Sequence, residues 1–426
     1  MLKKGLKPIV LLTFINILGF ALLYFTPSPC AYNTRFLYIG AILCAINIVV
    51  YCILNYGKLG DVYLFLLVTI LVTIGVVMIL RLDYKNPANP ESGGENQILF
   101  YIGGLLIFFM TYIVTRFLKN LDKLVWLYVF LIVGLFLFTL IVGKRINGAT
   151  NWIKIGPITL QPSEFIKILY ILSLSCFMNN EYDELHYLHG KFLGIEKRDV
   201  AITAFTYMCI GFFVLQGELG TAVLFLMIHF TVVFMLRPSW RNILINLIIV
   251  AAAVFALVIL VKMGKFSHIQ NRITGWLNPY DDPFNAGYDM VRSLSAIASG
   301  GYFGVGLWEG LSVNIAAIKS DFIFAAICEE LGIFAGVAII MIYFLFAYRG
   351  VKIAITTKND FYKTLAILTT VMFAYQTFII VGGVIKLIPL TGITLPFVSA
   401  GGSSLLSSYI SMGILVAISS MDKRRI

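Results

Sequence analysis

A dozen apolar runs, most of them near twenty residues and parted by polar breaks, limit what this chain can fold into. A helix needs ~20 apolar residues to cross the hydrocarbon core of a bilayer. A transmembrane barrel would show ten-residue segments of alternating polarity instead, so the runs predict helices. We place about twelve spans, near 8–27, 36–55, 61–81, 97–117, 124–142, 164–179, 201–215, 221–236, 243–263, 321–347, 363–386 and 403–420. The composition agrees, since 60% of the 426 residues are hydrophobic and 12% charged. That is too little charge to cover a soluble protein of this length. The first run ends near Phe25 without a small-residue cleavage site and reads as an uncleaved span.

The net charge of +11 fits a membrane protein better than a nucleic-acid binder, because basic residues gather on cytoplasmic loops. Lys3, Lys4 and Lys7, then Arg116, Lys119 and Lys123, Lys191, Lys197 and Arg198, Arg237 and Arg241, Arg349, Lys352 and Lys358, and Lys423, Arg424 and Arg425 all fall on one side of an even span count. Both termini are therefore expected in the cytoplasm, with the loop at 264–320 facing outward. Lys144, Arg145 and Lys154 break that bias. Six cysteines, among them Cys30, lie mostly within apolar runs without CxxC spacing and read as buried small hydrophobes. His186 and His189 lack a third ligand at metal-site spacing.

Function is expected in three polar segments that face outward under this topology. The first holds Trp152 and then Gln161-Pro-Ser-Glu164 with Lys167. Ser163 resembles a helix start, and Glu164 and Lys167 are three apart, so they share a helical face. Trp152 suits a bilayer interface as well as a ligand. The Glu164–Lys167 pair suits a structural ion pair as well as a substrate contact. The second segment, Gln216-Gly-Glu218-Leu-Gly, reads equally as a helix broken at membrane depth or as a turn between helices. The third runs from 276 to 332. It brackets Asp281 and Asp282 with prolines, continues into a short helix carrying Arg292, and reaches Lys319, Asp321, Glu329 and Glu330. Loops this rich in turn chemistry between spans usually carry function.

Taken together, these segments resemble the SEDS (shape, elongation, division and sporulation) family, the multispanning peptidoglycan polymerases of the RodA/FtsW/SpoVE type. The resemblance rests on Gly148-Ala…Trp152-Ile, Gln161-Pro-Ser-Glu164 with Lys167, Leu219-Gly-Thr, Asn278-Pro…Asp282-Pro-Phe…Gly287-Tyr, Ser299-Gly-Gly, Asp321-Phe-Ile-Phe, Glu329-Glu-Leu-Gly and Pro389…Gly401-Gly-Ser-Ser404. It covers 61–420. The chain departs from the family pattern at Glu218, commonly an Asp after Pro, and at Asn285, Asp289, Lys319 and Ala400.

The resemblance implies an all-α polytopic membrane protein of about twelve transmembrane helices. A ten-span polymerase core at 61–426 would carry the large extracytoplasmic loop at 264–320, with two additional helices at 1–60. It implies a glycosyltransferase that polymerises lipid II, the undecaprenyl-pyrophosphate-linked disaccharide-pentapeptide, at the outer face of the cell membrane, in elongation, division or sporulation. Asp282 is then the expected catalytic base. Trp152, Glu164, Lys167, Glu218, Arg292, Lys319, Asp321 and Ser403 are the expected substrate-binding residues, with Lys167, Arg292 and Lys319 as cations for the pyrophosphate. A class B penicillin-binding protein is the implied partner, beside membrane lipids and without nucleic acid. No cofactor is evident, although loop carboxylates suit a weakly held Mg²⁺. A lipid-linked precursor flippase and a non-catalytic scaffold are the rival readings.

Overall fold

The computed structural model describes residues 2–26, 32–84, 91–118, 120–146, 149–156, 158–179, 188, 190–192, 194–262 and 267–421. Cys30, Lys119, Gly148, His186, His189, Lys423, Arg424 and Arg425 lie outside the described residues. In chain order the helices are α1 (Leu2–Phe25), α2 (Thr34–Tyr56), α3 (Val62–Asp83), α4 (Gly93–Phe117) and α5 (Val125–Val142). Strands β1 (Lys144–Ile146), β2 (Ala149–Ile155) and β3 (Ile158–Leu160) then form an antiparallel sheet in that order, leading into α6 (Pro162–Met178). A short hairpin, β4 (Lys191–Phe192) and β5 (Ile195–Glu196), precedes α7 (Lys197–Gln216), α8 (Leu219–Thr231), α9 (Trp240–Lys262), α10 (Ser267–Leu277) and α11 (Tyr288–Gly300). The chain continues through α12 (Ile323–Leu331), α13 (Ile333–Thr356), α14 (Asp360–Val384) and α15 (Gly402–Met421).

Ten helices among the described residues are long and apolar enough to cross a membrane. Helix α6, at 17 residues, falls short of that measure. The twelve expected spans overlap helices, but among the described residues ten helices rather than twelve meet the measure. Short polar side chains start several of them. Asp61 accepts from the Tyr63 N–H at 3.0 Å and Asn359 from the Tyr362 N–H at 3.1 Å, satisfying amides that have no partner within the helix.

Three local readings resolve differently from, or more sharply than, the sequence pattern. Helix α6 starts at Pro162 with Gln161 as its N-cap, because proline suits the first helical position. Ser163 is therefore inside the helix, and its hydroxyl is used elsewhere. The Gln216–Leu219 segment is a turn: α7 ends on Gly217 at φ +80° and α8 begins two residues later. The expected span 321–347 is two helices, because Gly332 at φ +86° separates α12 from α13. The small sheet, absent from an all-α expectation, forms where β-branched residues such as Thr150, Ile153, Ile155, Ile158 and Thr159 concentrate.

The described chain forms two compact units. One comprises 1–119, 292–358 and 394–426. Helices α15 and α3 are its most buried spans, and α15 packs chiefly on α4. Gly104 lies against the Tyr409 ring and Gly413 against the Phe108 carbonyl, so the two helices approach closely through small residues. The other unit comprises 120–291 and 359–393. There α6 packs on α5 and α14, with nearly every residue from Pro162 to Phe177 buried or half-buried.

Candidate functional site

Within the unit 120–291 and 359–393, the sheet and α6 converge on the α7–α8 turn. Alternation along β2 buries Asn151 and Ile153 and leaves Trp152 half-buried on the opposite face. Glu218 is buried at the turn, where its carboxylate accepts from the Gln161 amide, the Ser163 hydroxyl and the Thr221 hydroxyl, each at 3.1 Å. Burial pushes the Glu218 carboxyl up, while hydrogen bonds from Gln161, Asn151, Ser163 and Thr221 pull it down. One turn into α6, Lys167 bridges Glu164 at 2.8 Å and donates to the Gln376 amide oxygen of α14 at 3.2 Å. All three side chains are buried. The expected i, i+3 pairing of Glu164 and Lys167 is thus formed.

The loop bearing Asp282 belongs to the same unit. Trp276 donates its indole N–H to the Lys386 carbonyl at 3.1 Å, fastening the end of α10 to the segment after α14. Gly220, one residue into α8, lies against the Thr391 carbonyl. The Asp282 loop and the Glu218 turn are therefore anchored to the same short stretch, 386–391. Asp282 is half-buried and accepts from the Asn285 amide at 2.9 Å and the Ala286 N–H at 3.4 Å. Its carbonyl takes the Gly287 N–H at 3.0 Å. Only glycine fits at 287, since a Cβ there would meet the Pro279 carbonyl oxygen at 2.0 Å. Asp281 is exposed.

In the unit that holds 292–358 and 394–426, the remaining candidates sit on a second scaffold. Arg292 is exposed on α11. Lys319 is committed to two carboxylates, Asp83 at the end of α3 and Glu91 before α4, at 2.5 Å each. Its carbonyl accepts from the Ala400 N–H at 2.8 Å, and the Ser320 carbonyl accepts from the Ser399 hydroxyl at 2.6 Å. Gln97 of α4 donates to the Ser399 carbonyl at 3.1 Å. The Gly401-Gly-Ser-Ser motif is thereby tied to the residues just before half-buried Asp321. Ser403 is buried at the start of α15.

Glu329 and Glu330 organise the loop ahead of α12. Glu329 accepts the N–H groups of Leu311 at 3.0 Å and Ser312 at 2.9 Å. Glu330 accepts the Trp308 N–H at 3.2 Å and pairs with Arg81 of α3, which also donates to the Gly310 carbonyl at 2.9 Å. Burial raises the Glu330 carboxyl to about 7, against the pull of Arg81. Among the described residues, no three or more His, Cys, Asp or Glu side chains converge as a metal site.

The sequence alone did not single out Asn151, Gln376, Arg81, Asp83 or Trp308. For Gln376, Arg81 and Asp83 the signal present was a lone amide or charge in an apolar run, which is costly in a membrane unless partnered or used.

Comparison with known proteins gives one answer. The family of cell cycle proteins represented by FtsW, RodA and SpoVE matches residues 61–424. The chain is 34% identical over 385 residues to the peptidoglycan glycosyltransferase RodA of Mycobacterium tuberculosis, covering 87% of this chain and 80% of that protein. It is 29% identical over 374 residues to the stage V sporulation protein E of Bacillus subtilis, covering 84% and 96%. Among solved structures, it aligns with a chain of a peptidoglycan synthase complex at TM-score 0.68 and 25% identity, covering 86% of this chain and 99% of that one. The rod shape determining protein RodA of Thermus thermophilus shares the fold at TM-score 0.61 and 24% identity, covering 86% and 98%. The chain belongs to the FtsW/RodA/SpoVE family of membrane proteins.

Proposed function

We infer that this chain is a peptidoglycan glycosyltransferase. The observation that carries the reading is the 34% identity to RodA glycosyltransferases across 87% of the chain. The substrate we propose is lipid II, used from the outer leaflet, with both termini of the chain in the cytoplasm. The 4-hydroxyl of one lipid-linked sugar attacks the anomeric carbon of another. The new glycosidic bond forms as the bond to undecaprenyl pyrophosphate breaks, and Asp282 takes the hydroxyl proton.

General-base assistance contributes on the order of 10²–10⁴-fold. Positioning of the two sugars and stabilisation of the departing diphosphate must supply the rest. Lys167, paired with Glu164, and Lys319, paired with Asp83 and Glu91, are proposed cations for the diphosphate, each held in position by those carboxylates. Arg292, exposed on α11, is a proposed contact for the diphosphate, because a guanidinium fork matches its oxygens. Trp152, Glu218, Asp321 and Ser403 complete the proposed substrate contacts. We propose no organic cofactor; Asp281 and Asp282 offer oxygen ligands to a weakly held Mg²⁺. A class B penicillin-binding protein is the proposed partner, supported by the likeness to a chain of a peptidoglycan synthase complex.

The test is polymerisation of purified lipid II by the reconstituted chain, with and without that partner. Asp282→Asn is expected to reduce glycan synthesis at least ~100-fold while membrane insertion is unchanged. Wild-type synthesis by the variant removes Asp282 from the mechanism. Lipid II translocation without polymerisation by the wild type favours a flippase. Loss of both activities with partner binding intact favours a scaffold.

A further inference from the structure

The family match begins at residue 61, so α1 and α2 lie outside it, yet polar side chains fasten both to helices within it. On α1, buried Asn16 accepts from the Thr73 hydroxyl of α3 at 3.0 Å and donates to the Leu12 carbonyl at 3.0 Å. On α2, buried Asn47 accepts from the Tyr101 hydroxyl of α4. Amides in apolar helices act as interhelical fasteners when they are paired. Asn33 adds a third fastening, donating to the Tyr84 hydroxyl at 3.2 Å.

Next to it, Phe36 is 1% exposed. Its ring centroid lies 5.6 Å from Tyr84 and 6.2 Å from Trp308, and those two lie 6.1 Å apart. Such separations and tilts are those of favourable aromatic pairs. Trp308 adopts φ +78°, which so bulky a residue keeps only where its surroundings hold it. Its N–H reaches Glu330, and four residues on Ser312 reaches Glu329. The ring of Phe36 thus backs the residue whose strained backbone begins the clamp between segment 304–320 and α12.

We propose that the α1–α2 hairpin is a built-in brace for segment 304–320, with Phe36 as the positioning residue that wedges Trp308 in its strained conformation. If the two glutamates and Arg81 alone held the segment, Phe36 would be dispensable to it. Because the reading concerns where the segment sits, its test does not depend on glycan synthesis.

The reporter is Ser312→Cys in the full chain in lipid nanodiscs. Ser312 is 3% exposed, and its hydroxyl has no hydrogen-bond partner among the described residues, so sulfur can replace oxygen while the backbone bond to Glu329 stays. Maleimide labelling is followed by site-resolved mass spectrometry, with buried Cys176 and Cys209 of the other unit as internal references for an intact fold. Phe36→Ala is expected to raise labelling at position 312 by about tenfold or more relative to those references, as a local opening. Phe36→Leu, which refills most of the space, is expected to bring the rate back towards the parent. Equal labelling in Phe36→Ala and the parent overturns the proposal. So does a rise no greater than at Cys209, or one that Phe36→Leu fails to reverse.

Discussion

Glu330 carries the sharpest consequence of any single side chain. Its carboxyl is raised from the ordinary carboxylate range to about 7 because burial outweighs the attraction of Arg81, and the neighbouring charge of Glu329 adds to the rise. A group whose folded value lies above its unfolded one contributes stability that is fully present below the unfolded range. That contribution is lost as pH rises through the folded value. The unfolding midpoint of the purified protein is therefore expected to fall between about pH 5 and pH 8. Glu330→Gln is expected to flatten that slope, and thermal unfolding followed across the range checks it. Of the contacts at this scale, Glu164 with Lys167 was legible because both ends lie on one turn of helix. Glu330 with Arg81 was not, because the partners are far apart in sequence and each reads locally as a stray charge at the edge of an apolar run. Asp282 shows a further limit. Its carboxylate holds its own turn through Asn285 and Ala286, which a Pro-bracketed acid pair suggests but does not specify.

Helix α6 shows how an element too short for a clear span can still organise a unit. Its first turn supplies Ser163 to Glu218 and pairs Glu164 with Lys167, while Gln376 reaches across from α14. Breaking a buried ion pair by removing one partner typically costs about 3–5 kcal/mol, whereas replacing both by apolar groups is often neutral. Glu164→Leu alone and Lys167→Met alone are each expected to lower the unfolding midpoint clearly, and the double variant less than the sum. A double-mutant cycle in thermal unfolding measures the coupling. Element positions were readable from the apolar runs, because hydrophobic length is a direct physical demand of the bilayer. Their interruptions were less so. Gly332 splits one expected span and Gly217 ends α7 ahead of α8, yet each adjoins a Glu-Leu pair, as Gly217-Glu218-Leu219 and as Glu330-Leu331-Gly332. What separates the two cases is the length of helix on either side, which a polar break alone does not state.

For the whole molecule, the distribution of Lys and Arg predicts both termini on the cytoplasmic side and the loop at 264–320 on the other. Fusion of a fluorescent protein after Met421 is expected to fluoresce, and fusion of alkaline phosphatase within 301–311 is expected to be active. The reverse pair of signals would invert the topology and remove lipid II at the outer leaflet as the substrate of the Asp282 loop. The family itself was legible because many short motifs recur in one order. The assembly of the chain into two units was not, since each unit gathers separated stretches and no local pattern announces which stretches join.

That gathering bears on how the protein is made. Helix α15 is the most buried of the spans and rests on the glycine-notched side of α4, but some three hundred residues separate their starting points. A nascent chain must therefore keep α4 in the lipid, its notches uncovered, until the ribosome has delivered Gly402–Met421. Until then the first unit stands open along that seam, a surface for an insertion chaperone to shield.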